Sequence, residues 1–177
     1  ITVTRQSNTA SGFAILTYSG NGSDNQTIAH GLSAKPAFII IKNRDTTNGW
    51  SVWTQFLGDN TKWIELNSTA AAQSDSNQFY EWGMTTSNIG VRSGASVNGS
   101  GNDLVAYVWA NVDGYSKFGN YEGNGNADGP FIYTGFRPRM LFIKQTDSTS
   151  NWNVFDTARD THNYVSKHVA WDSTAQE

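Results

Sequence analysis

The segments PAFIIIKNRDTTNGWSVW (residues 36–53) and PRMLFIKQTDSTSNWNVF (residues 138–155) are two copies of one pattern. They align without a gap at an offset of 102 residues, and seven of the 18 positions are identical. In each copy a short apolar run is followed by a loop rich in Asp, Asn, Thr and Ser, which ends at a tryptophan. Short apolar runs bounded by turn-forming residues are typical of β-strands, so each copy predicts a β-hairpin.

The similarity continues on both sides of these segments, with small shifts in the loops. The corresponding pairs are residues 12–13 with 114–115, residue 18 with 121, residues 20–22 with 123–125, and residues 66–70 with 171–175. The repeated unit is about one domain long, well above the roughly 20–50 residues of solenoid repeats. The pattern therefore predicts tandem duplication of a whole domain rather than a chance likeness between two polar hairpins.

The two copies differ in length. We expect a linker or edge segment at residues 1–11, a first module at residues 12–113 and a second module at residues 114–177. Nothing in the second module corresponds to residues 73–111, which include LVAYVWA at 104–110, the most strand-like segment of the first module. A sheet that lacks a central strand exposes backbone groups and half a core. We therefore expect polypeptide beyond residue 177, or strands of a neighbouring chain, to complete the second module.

The fold class expected is all-β, with two related antiparallel β-sandwich modules of jelly-roll or lectin-like type, the second incomplete. The run FIII at residues 38–41 is apolar on both faces, which predicts a central strand. Trp50 and Trp152, at the start of the second strand of each hairpin, are expected to be core or rim anchors. The predicted strands lie near residues 13–18, 27–30, 37–42, 51–55, 62–66, 78–82, 88–91, 104–110, 116–121, 131–133, 140–144, 153–156 and 164–171.

Composition argues against several classes of function. The formal net charge is −3, and the Lys and Arg residues are scattered singly, so nucleic acid is not an expected partner. No run approaches the roughly 20 apolar residues that cross a bilayer, so we expect no membrane insertion. The chain contains no cysteine, which excludes disulfides and thiolate metal sites.

Enzymatic activity is not expected. A glycosidase needs two carboxylates that face one sugar bond, and Glu65, Glu81 and Glu122 lie in strand-like surroundings, but without the Glu-x-Asp-x-x-Glu pattern of sandwich-fold glycosidases. There is no Gly-x-Ser-x-Gly segment and no Ser-His-Asp order. His30 is interpreted as a strand-end residue before a turn.

No cofactor is expected, with calcium as the alternative. Calcium takes oxygen ligands, and one stretch is rich in Asp and Asn. Its members are Asp113, Asn120, Asn124, Asn126 and Asp128. Their spacing fits no EF-hand or nonapeptide loop, and turns built on Gly-Asn-Gly explain the same composition.

Aromatic side chains supply the only binding prediction. Trp and Tyr rings stack on the C–H faces of sugars while neighbouring Asn and Asp bind hydroxyls. The candidates for such a platform are Trp53, Trp63, Tyr80, Trp82 and Trp171. The alternative is that these rings lie in the core or in an oligomer interface.

The residues together resemble a known kind of domain. The segments that carry the resemblance are 4–13 (TRQSNTASGF), 18–22 (YSGNG), 30–32 (HGL), 36–44 (PAFIIIKNR), 50–53 (WSVW) and 125–137 (GNADGPFIYTGFR). They resemble an uncharacterised tandem β-domain of structural proteins of marine tailed phages, including cyanophages, often in tail-fibre or appendage proteins. The resemblance covers nearly the whole chain and brings no catalytic residue with it.

The resemblance implies a bacteriophage virion structural protein at the virion surface, outside the cell. Such a protein would act in assembly of a tail fibre or similar appendage and in adhesion to the host. Its expected partners are other virion proteins and further copies of itself, for which a homotrimer would suit a fibre, and host surface glycans. A carbohydrate-binding, lectin-like module is the alternative function.

Overall fold

In a computed structural model, which describes residues 1–160 and 165–174, nearly all of the regular secondary structure is antiparallel β-sheet. The all-β class predicted from the sequence is confirmed. The strands are β1 (Val3–Asn8), β2 (Phe13–Ser19), β3 (Gln26–Ala29), β4 (Phe38–Asn43), β5 (Ser51–Thr54), β6 (Lys62–Glu65), β7 (Gln73–Ser74), β8 (Asn88–Val91), β9 (Asp103–Trp109), β10 (Met140–Lys144), β11 (Trp152–Asp156) and β12 (Val169–Ala170). A 3₁₀ turn (Glu81–Gly83) and one short helix, α1 (Ala95–Asn98), complete the described elements.

The largest sheet has seven strands in the order β1-β2-β9-β4-β5-β6-β7. Strand β9 pairs with β2 on one side and with β4 on the other, as its apolar sequence predicted. Its residues alternate between the two faces, and Leu104, Ala106 and Val108 are buried on one of them. This period of two is the pattern of a strand that buries one face, and the two partners place β9 inside the sheet. The predicted edge segment at residues 1–11 contributes the outermost strand, β1.

Strand β4 is covered on both faces, which confirms the prediction for residues 38–41. Ile39 and Ile41 belong to one hydrophobic core, and Ile40 belongs to a second core on the opposite face. The first core is closed by the two-stranded sheet of β3 and β8, whose Ile28, Ile89 and Val91 are fully buried. Further side chains of this core come from β2, β5, α1 and the loops: Ala14, Leu16, Tyr18, Leu32, Trp53, Phe79, Met84, Val97 and Ala110.

The three-stranded sheet β10-β11-β12 covers the other face of the large sheet. Trp152 is buried there beside Val52 and Ile64, and its indole Nε1 donates a hydrogen bond of 3.0 Å to the carbonyl oxygen of Glu65. The ring of Phe142 stacks on Trp152 at 4.9 Å between centroids and lies 6.5 Å from the ring of Phe38. Stacked and edge-on aromatic pairs of this kind stabilise a core by about 0.5–1.5 kcal/mol beyond their buried area.

The repeated hairpins have the same strand register. Ile40 pairs with Val52, and at the fixed offset of 102 residues Phe142 pairs with Val154. The third strand also corresponds, because Ser51 pairs with Glu65 as Asn153 pairs with Ala170. Strands β4-β5-β6 and β10-β11-β12 thus build the same three-stranded unit.

The hydrogen bonds at the end of this unit are repeated as well. The Trp50 amide donates to Asn67 Oδ1 at 2.8 Å, and the Trp152 amide donates to Asp172 Oδ1 at 3.1 Å. The Leu66 amide donates to the carbonyl oxygen of Trp50 at 3.0 Å, and the Trp171 amide donates to that of Trp152 at 2.9 Å. Both tryptophans are therefore anchored alike at the rim, as the sequence predicted.

The structure corrects the predicted strands in the first part of the second copy. Residues 116–121 and 131–133 are not strands, and residues 119–133 are exposed throughout. Their counterparts, β2 and β3, pair with β9 and β8. No described strand pairs with residues 116–121 or 131–133, and an unpaired strand leaves its backbone groups without hydrogen bonds. The loop conformation is nevertheless conserved between the copies at Gly22 and Gly125, which have φ angles of 67° and 66°.

Two other predicted strands are shorter than expected. Residues 78–82 form a single bridge, from Phe79 to Val91, and then the 3₁₀ turn. Of the strand predicted at 164–171, only β12 is formed among the described residues, and position 164 lies outside them.

Equivalent positions in the two copies should differ sharply in their contribution to stability. Ile39 is fully buried, whereas its counterpart Leu141 is 43% exposed. We expect Ile39→Ala to lower the free energy of unfolding by about 2–5 kcal/mol and Leu141→Ala by about 1 kcal/mol or less, because only the first leaves a cavity. Urea denaturation of both variants measures the difference. Equal losses would show that the Leu141 face is covered in solution.

Candidate functional site

The five aromatic residues predicted as a binding platform lie at separate places. Trp53 is 2% exposed and belongs to the first core, against which Trp63 also packs. Trp53 therefore offers no free ring face for stacking on a sugar. Trp82 lies on the 3₁₀ turn with 76% of its surface exposed, and the half-buried ring of Tyr80 has the Arg92 guanidinium 5.6 Å from its centroid.

The fifth residue, Trp171, belongs to the second copy. It is 59% exposed, and its ring meets the ring of Phe142 edge-on at 5.5 Å. The structure therefore does not bring the five rings together into one platform. Trp63, Trp82 and Trp171 each belong to a different neighbourhood.

Trp63 lines a polar cleft of about 450 Å³. The cleft lies between β5, β6, the residues that follow β7, and the start of α1. Its lining residues are Asn48, Gly49, Ser51, Trp63, Glu65, Asp75, Asn77, Gln78, Gly94, Ala95 and Ser96. We call this the Trp63 cleft. Its volume lies in the range of ordinary small-molecule sites.

Two buried polar atoms at the Trp63 cleft lack a partner in the described part of the chain: Ser51 Oγ and Trp63 Nε1. Buried polar groups are almost always hydrogen-bonded, so two unpaired groups on residues that line one cleft are unusual. The neighbouring polar groups are already ordered, since Ser96 Oγ donates to Gln78 Oε1 at 2.7 Å and Gln78 Nε2 donates to Asp75 Oδ2 at 3.1 Å. One aromatic ring surrounded by oriented hydroxyl, amide and carboxylate groups suits a neutral polyhydroxylated ligand.

A second cleft, of about 430 Å³, lies at the end of β5 and is lined by Trp53, Thr54, Gln55, Gly58, Asp59, Asn60 and Glu81. Thr61 donates to Asp59 Oδ1 through its amide and through its hydroxyl, at 2.8 and 2.9 Å. These bonds lower the pKa of Asp59 below its usual value. The Asp59 carboxylate is therefore engaged in a turn within this loop.

The three glutamates considered for catalysis are not assembled into one site. Glu65 lines the Trp63 cleft, Glu81 lines the second cleft, and Glu122 lies on the exposed loop at residues 119–133. Catalysis by a pair of acids requires both at one substrate bond. The structure thus offers no arrangement of these three residues for glycoside hydrolysis.

Three of the five residues considered as calcium ligands form turns with one another. The Asn126 amide donates to Asn124 Oδ1 at 3.0 Å, and the Asp128 amide donates to Asn126 Oδ1 at 3.2 Å. Such Asx turns are the usual reason for Asn and Asp in loops. In the described ranges no group of three or more His, Asp or Glu side chains is placed to hold a metal ion.

His30 lies in the first core as a neutral group. Its Nδ1 accepts the Leu32 amide at 2.9 Å, and its Nε2 lies 3.2 Å from the carbonyl oxygen of Thr85, so the proton belongs on Nε2. Burial lowers the pKa of His30 below 6.5. The hydrogen bond to the Thr85 carbonyl raises this pKa by less, and the charge of Arg5 lowers it further. Both ring nitrogens are therefore occupied, and His30 terminates β3 as a structural residue.

A family model for a domain of unknown function, DUF7483, matches residues 1–177. The chain belongs to the DUF7483 family. Comparison with curated proteins and with solved structures found no match. No helix among the described residues of this DUF7483 chain is long and apolar enough to cross a membrane.

The exposed apolar residues of the DUF7483 chain are concentrated in its second copy. Among the described residues ten large hydrophobic side chains are exposed, and only Ile15 and Trp82 of these belong to the first copy. The other eight are Tyr115, Tyr121, Phe131, Ile132, Tyr133, Met140, Leu141 and Trp171. Exposed apolar groups scattered singly are ordinary, whereas a contiguous apolar patch is typical of an interaction surface.

Sequence reasoning found the aromatic residues of this region only in part. Trp171 is among the candidates for the platform, whereas Phe131, Tyr133 and Leu141 lie in segments predicted as strands. Strand-like sequence does not show which side chains another layer covers. The Trp63 cleft was missed because its residues come from four separate segments.

His30 should make stability depend on pH. Because its pKa is lower in the folded chain than in the unfolded chain, only the unfolded chain gains a proton just below pH 6.5. We expect the free energy of unfolding to be highest above pH 6.5 and to fall as the pH is lowered below it, by up to about 1.4 kcal/mol per pH unit. Denaturant unfolding at pH 7.5, 6.5 and 5.5 measures this slope.

The matched variants are His30→Gln and His168→Gln. His30→Gln should remove the slope in this range, whereas His168→Gln should keep it, because His168 is exposed beside Phe155. An unchanged slope in His30→Gln would contradict the assignment.

Proposed function

We propose that this DUF7483 chain is a structural module of an external appendage of a bacteriophage particle, a tail fibre or a similar part. It serves assembly and host-surface adhesion at the virion surface, outside the cell, and it is not an enzyme. The observation that carries the proposal is the concentration of exposed apolar side chains after residue 113, eight of the ten in the described chain. The phage assignment itself rests on the sequence resemblance.

Physical properties of the chain fit this role. Only 15% of its residues are charged, so contacts with other virion proteins and with further copies of the chain incur little charge desolvation. The exposed tyrosines, Phe131 and Trp171 are of the types enriched in protein interfaces. A homotrimer would bury three such regions together.

The finer fold assignment is part of the same proposal. The chain consists of two β-sandwich modules that arose by duplication, at residues 12–113 and 114–177, and the second is incomplete. The shared register of β4-β5-β6 and β10-β11-β12 supports the duplication. The unstructured course of residues 119–133 supports the incompleteness, because these residues lack the strands that would pair with them.

The appendage assignment predicts that the chain is present in mature particles. In purified particles of a phage whose genome encodes it, mass spectrometry should detect the chain in several copies per particle. Antibodies against it should label the outside of tails or fibres in electron micrographs. Detection only in the infected-cell lysate, and not in washed particles, would contradict the proposal.

Carbohydrate binding is the second candidate function, and the Trp63 cleft is the observation that favours it. A glycan array with the soluble chain should show saturable binding to a neutral sugar if the cleft is a lectin site. Glu65→Gln, which alters one hydrogen-bonding group of the cleft, should weaken binding about tenfold or more, equivalent to about 1.4 kcal/mol.

The matched control for this experiment is Trp82→Ala. Trp82 is the most exposed tryptophan and does not line the cleft, so its removal should leave binding unchanged. Binding lost in Trp82→Ala and kept in Glu65→Gln would move the lectin site to the 3₁₀ turn. Thermal unfolding of both variants checks that each one is folded.

A further inference from the structure

Strand β10 lacks the neighbour that its counterpart β4 has. β4 is hydrogen-bonded to β5 on one edge and to β9 on the other. β10 pairs with β11 alone among the strands that the structure describes, so its second edge is open. An open edge presents a row of unpaired backbone N–H and C=O groups, which is a template for another strand.

The side chains of β10 are more exposed than their counterparts in β4, which another strand and a covering layer bury. Ile39 and Ile41 are fully buried, whereas their counterparts Leu141 and Ile143 are partly exposed. Phe155 on the adjacent strand is also partly exposed, while its counterpart Trp53 lies in the core. One face of β10 and β11 is therefore apolar and uncovered.

Nothing in the sequence of β10 protects this edge. Natural edge strands are usually kept from pairing by charges, proline, bulges or short length. The outermost strand β1, VTRQSN, is polar and mostly exposed, but β10 reads MLFIK. Its single charged residue, Lys144, is engaged at Nζ by the carbonyl oxygens of Thr69 and Ser150, at 3.0 and 2.7 Å.

We propose that β10 binds, in antiparallel orientation, an extended segment of another polypeptide whose side chains alternate as those of β9 do. The first copy supplies the expected register. Tyr107 faces Ile40 and Ala106 faces Ile41, so the bound segment places a large residue opposite Phe142 and a small one opposite Ile143. Strand addition of this kind is an established mode of peptide recognition, in which the backbone supplies affinity and alternate side chains supply specificity.

The occupant is a strand of another polypeptide and not β9 of a second copy of this chain. In every copy β9 is already paired on both edges, with β2 and with β4. The inference does not depend on the phage assignment, since it requires only the open edge and its template in the first copy.

The test uses a peptide of residues 102–111, NDLVAYVWAN, as the probe for the missing strand. Added to the intact chain, it should bind saturably with one peptide per chain. Hydrogen exchange should then slow at the amides of residues 141–144 and not at β1. Absence of saturable binding, or slowed exchange only at β1, would overturn the proposal.

Two N-methylated peptides separate strand pairing from non-specific hydrophobic contact. Alternate amides of an added strand point to the sheet edge and to solvent. Methylation of one alternating set should therefore weaken binding at least tenfold, and methylation of the other set should have little effect. Equal effects of the two sets would overturn the proposal.

Variants of the chain provide the matched controls. Leu141→Lys should weaken binding at least tenfold, because Leu141 lies on the uncovered face of β10. Ile15→Lys replaces a residue of similar exposure, 39% against 43%, on the internal strand β2, and should leave binding unchanged. If light scattering shows that the chain alone dimerises with its β10 amides protected, the occupant is a second copy and the proposal is wrong.

Discussion

The pairing of β9 with both β2 and β4 is the interaction on which the rest of the structure depends. It joins the β1-β2 hairpin to the ladder that runs from β4 to β7, so that one sheet forms instead of two. The pairing brings residues 13–19 against residues 103–109, which are far apart in the chain. Once it forms, β4 has neighbours on both edges and its isoleucines are buried on both faces. Long-range pairing of this kind is the entropically costly step of forming a β-sheet.

Local sequence patterns predicted those elements whose partners are also present. The repeated hairpin was predictable because each copy carries both strands and the loop between them. The central position of β9 was predictable because residues 104–110 form the most strand-like apolar run of the first module. The strands predicted at 116–121 and 131–133 are not formed, since β-structure requires a second strand and no described strand pairs with these residues. Strand propensity describes how well a residue fits a sheet, not whether a sheet is there.

The functional surfaces were less predictable than the fold. The sequence alone does not distinguish an aromatic residue that fills a core from one that faces solvent. Trp53 is buried, whereas Trp82 is exposed. The Trp63 cleft depends on where β6, the residues after β7 and the start of α1 meet, which no local pattern records. The buried, unpaired Ser51 Oγ at its wall is visible only when every hydrogen bond of the fold has been assigned.

The packing of the two repeated hairpins against each other ties their side chains together. Ile40 and Val52 of one hairpin share a core with Trp152 and Phe142 of the other, so each hairpin shields the other from solvent. A larger side chain on either hairpin would overfill this shared core unless a neighbour became smaller. The two hairpins have the same strand register, but Phe142 stands at the position that Ile40 holds in the first. A substitution in one hairpin is therefore felt by the other, although the two are far apart in the chain.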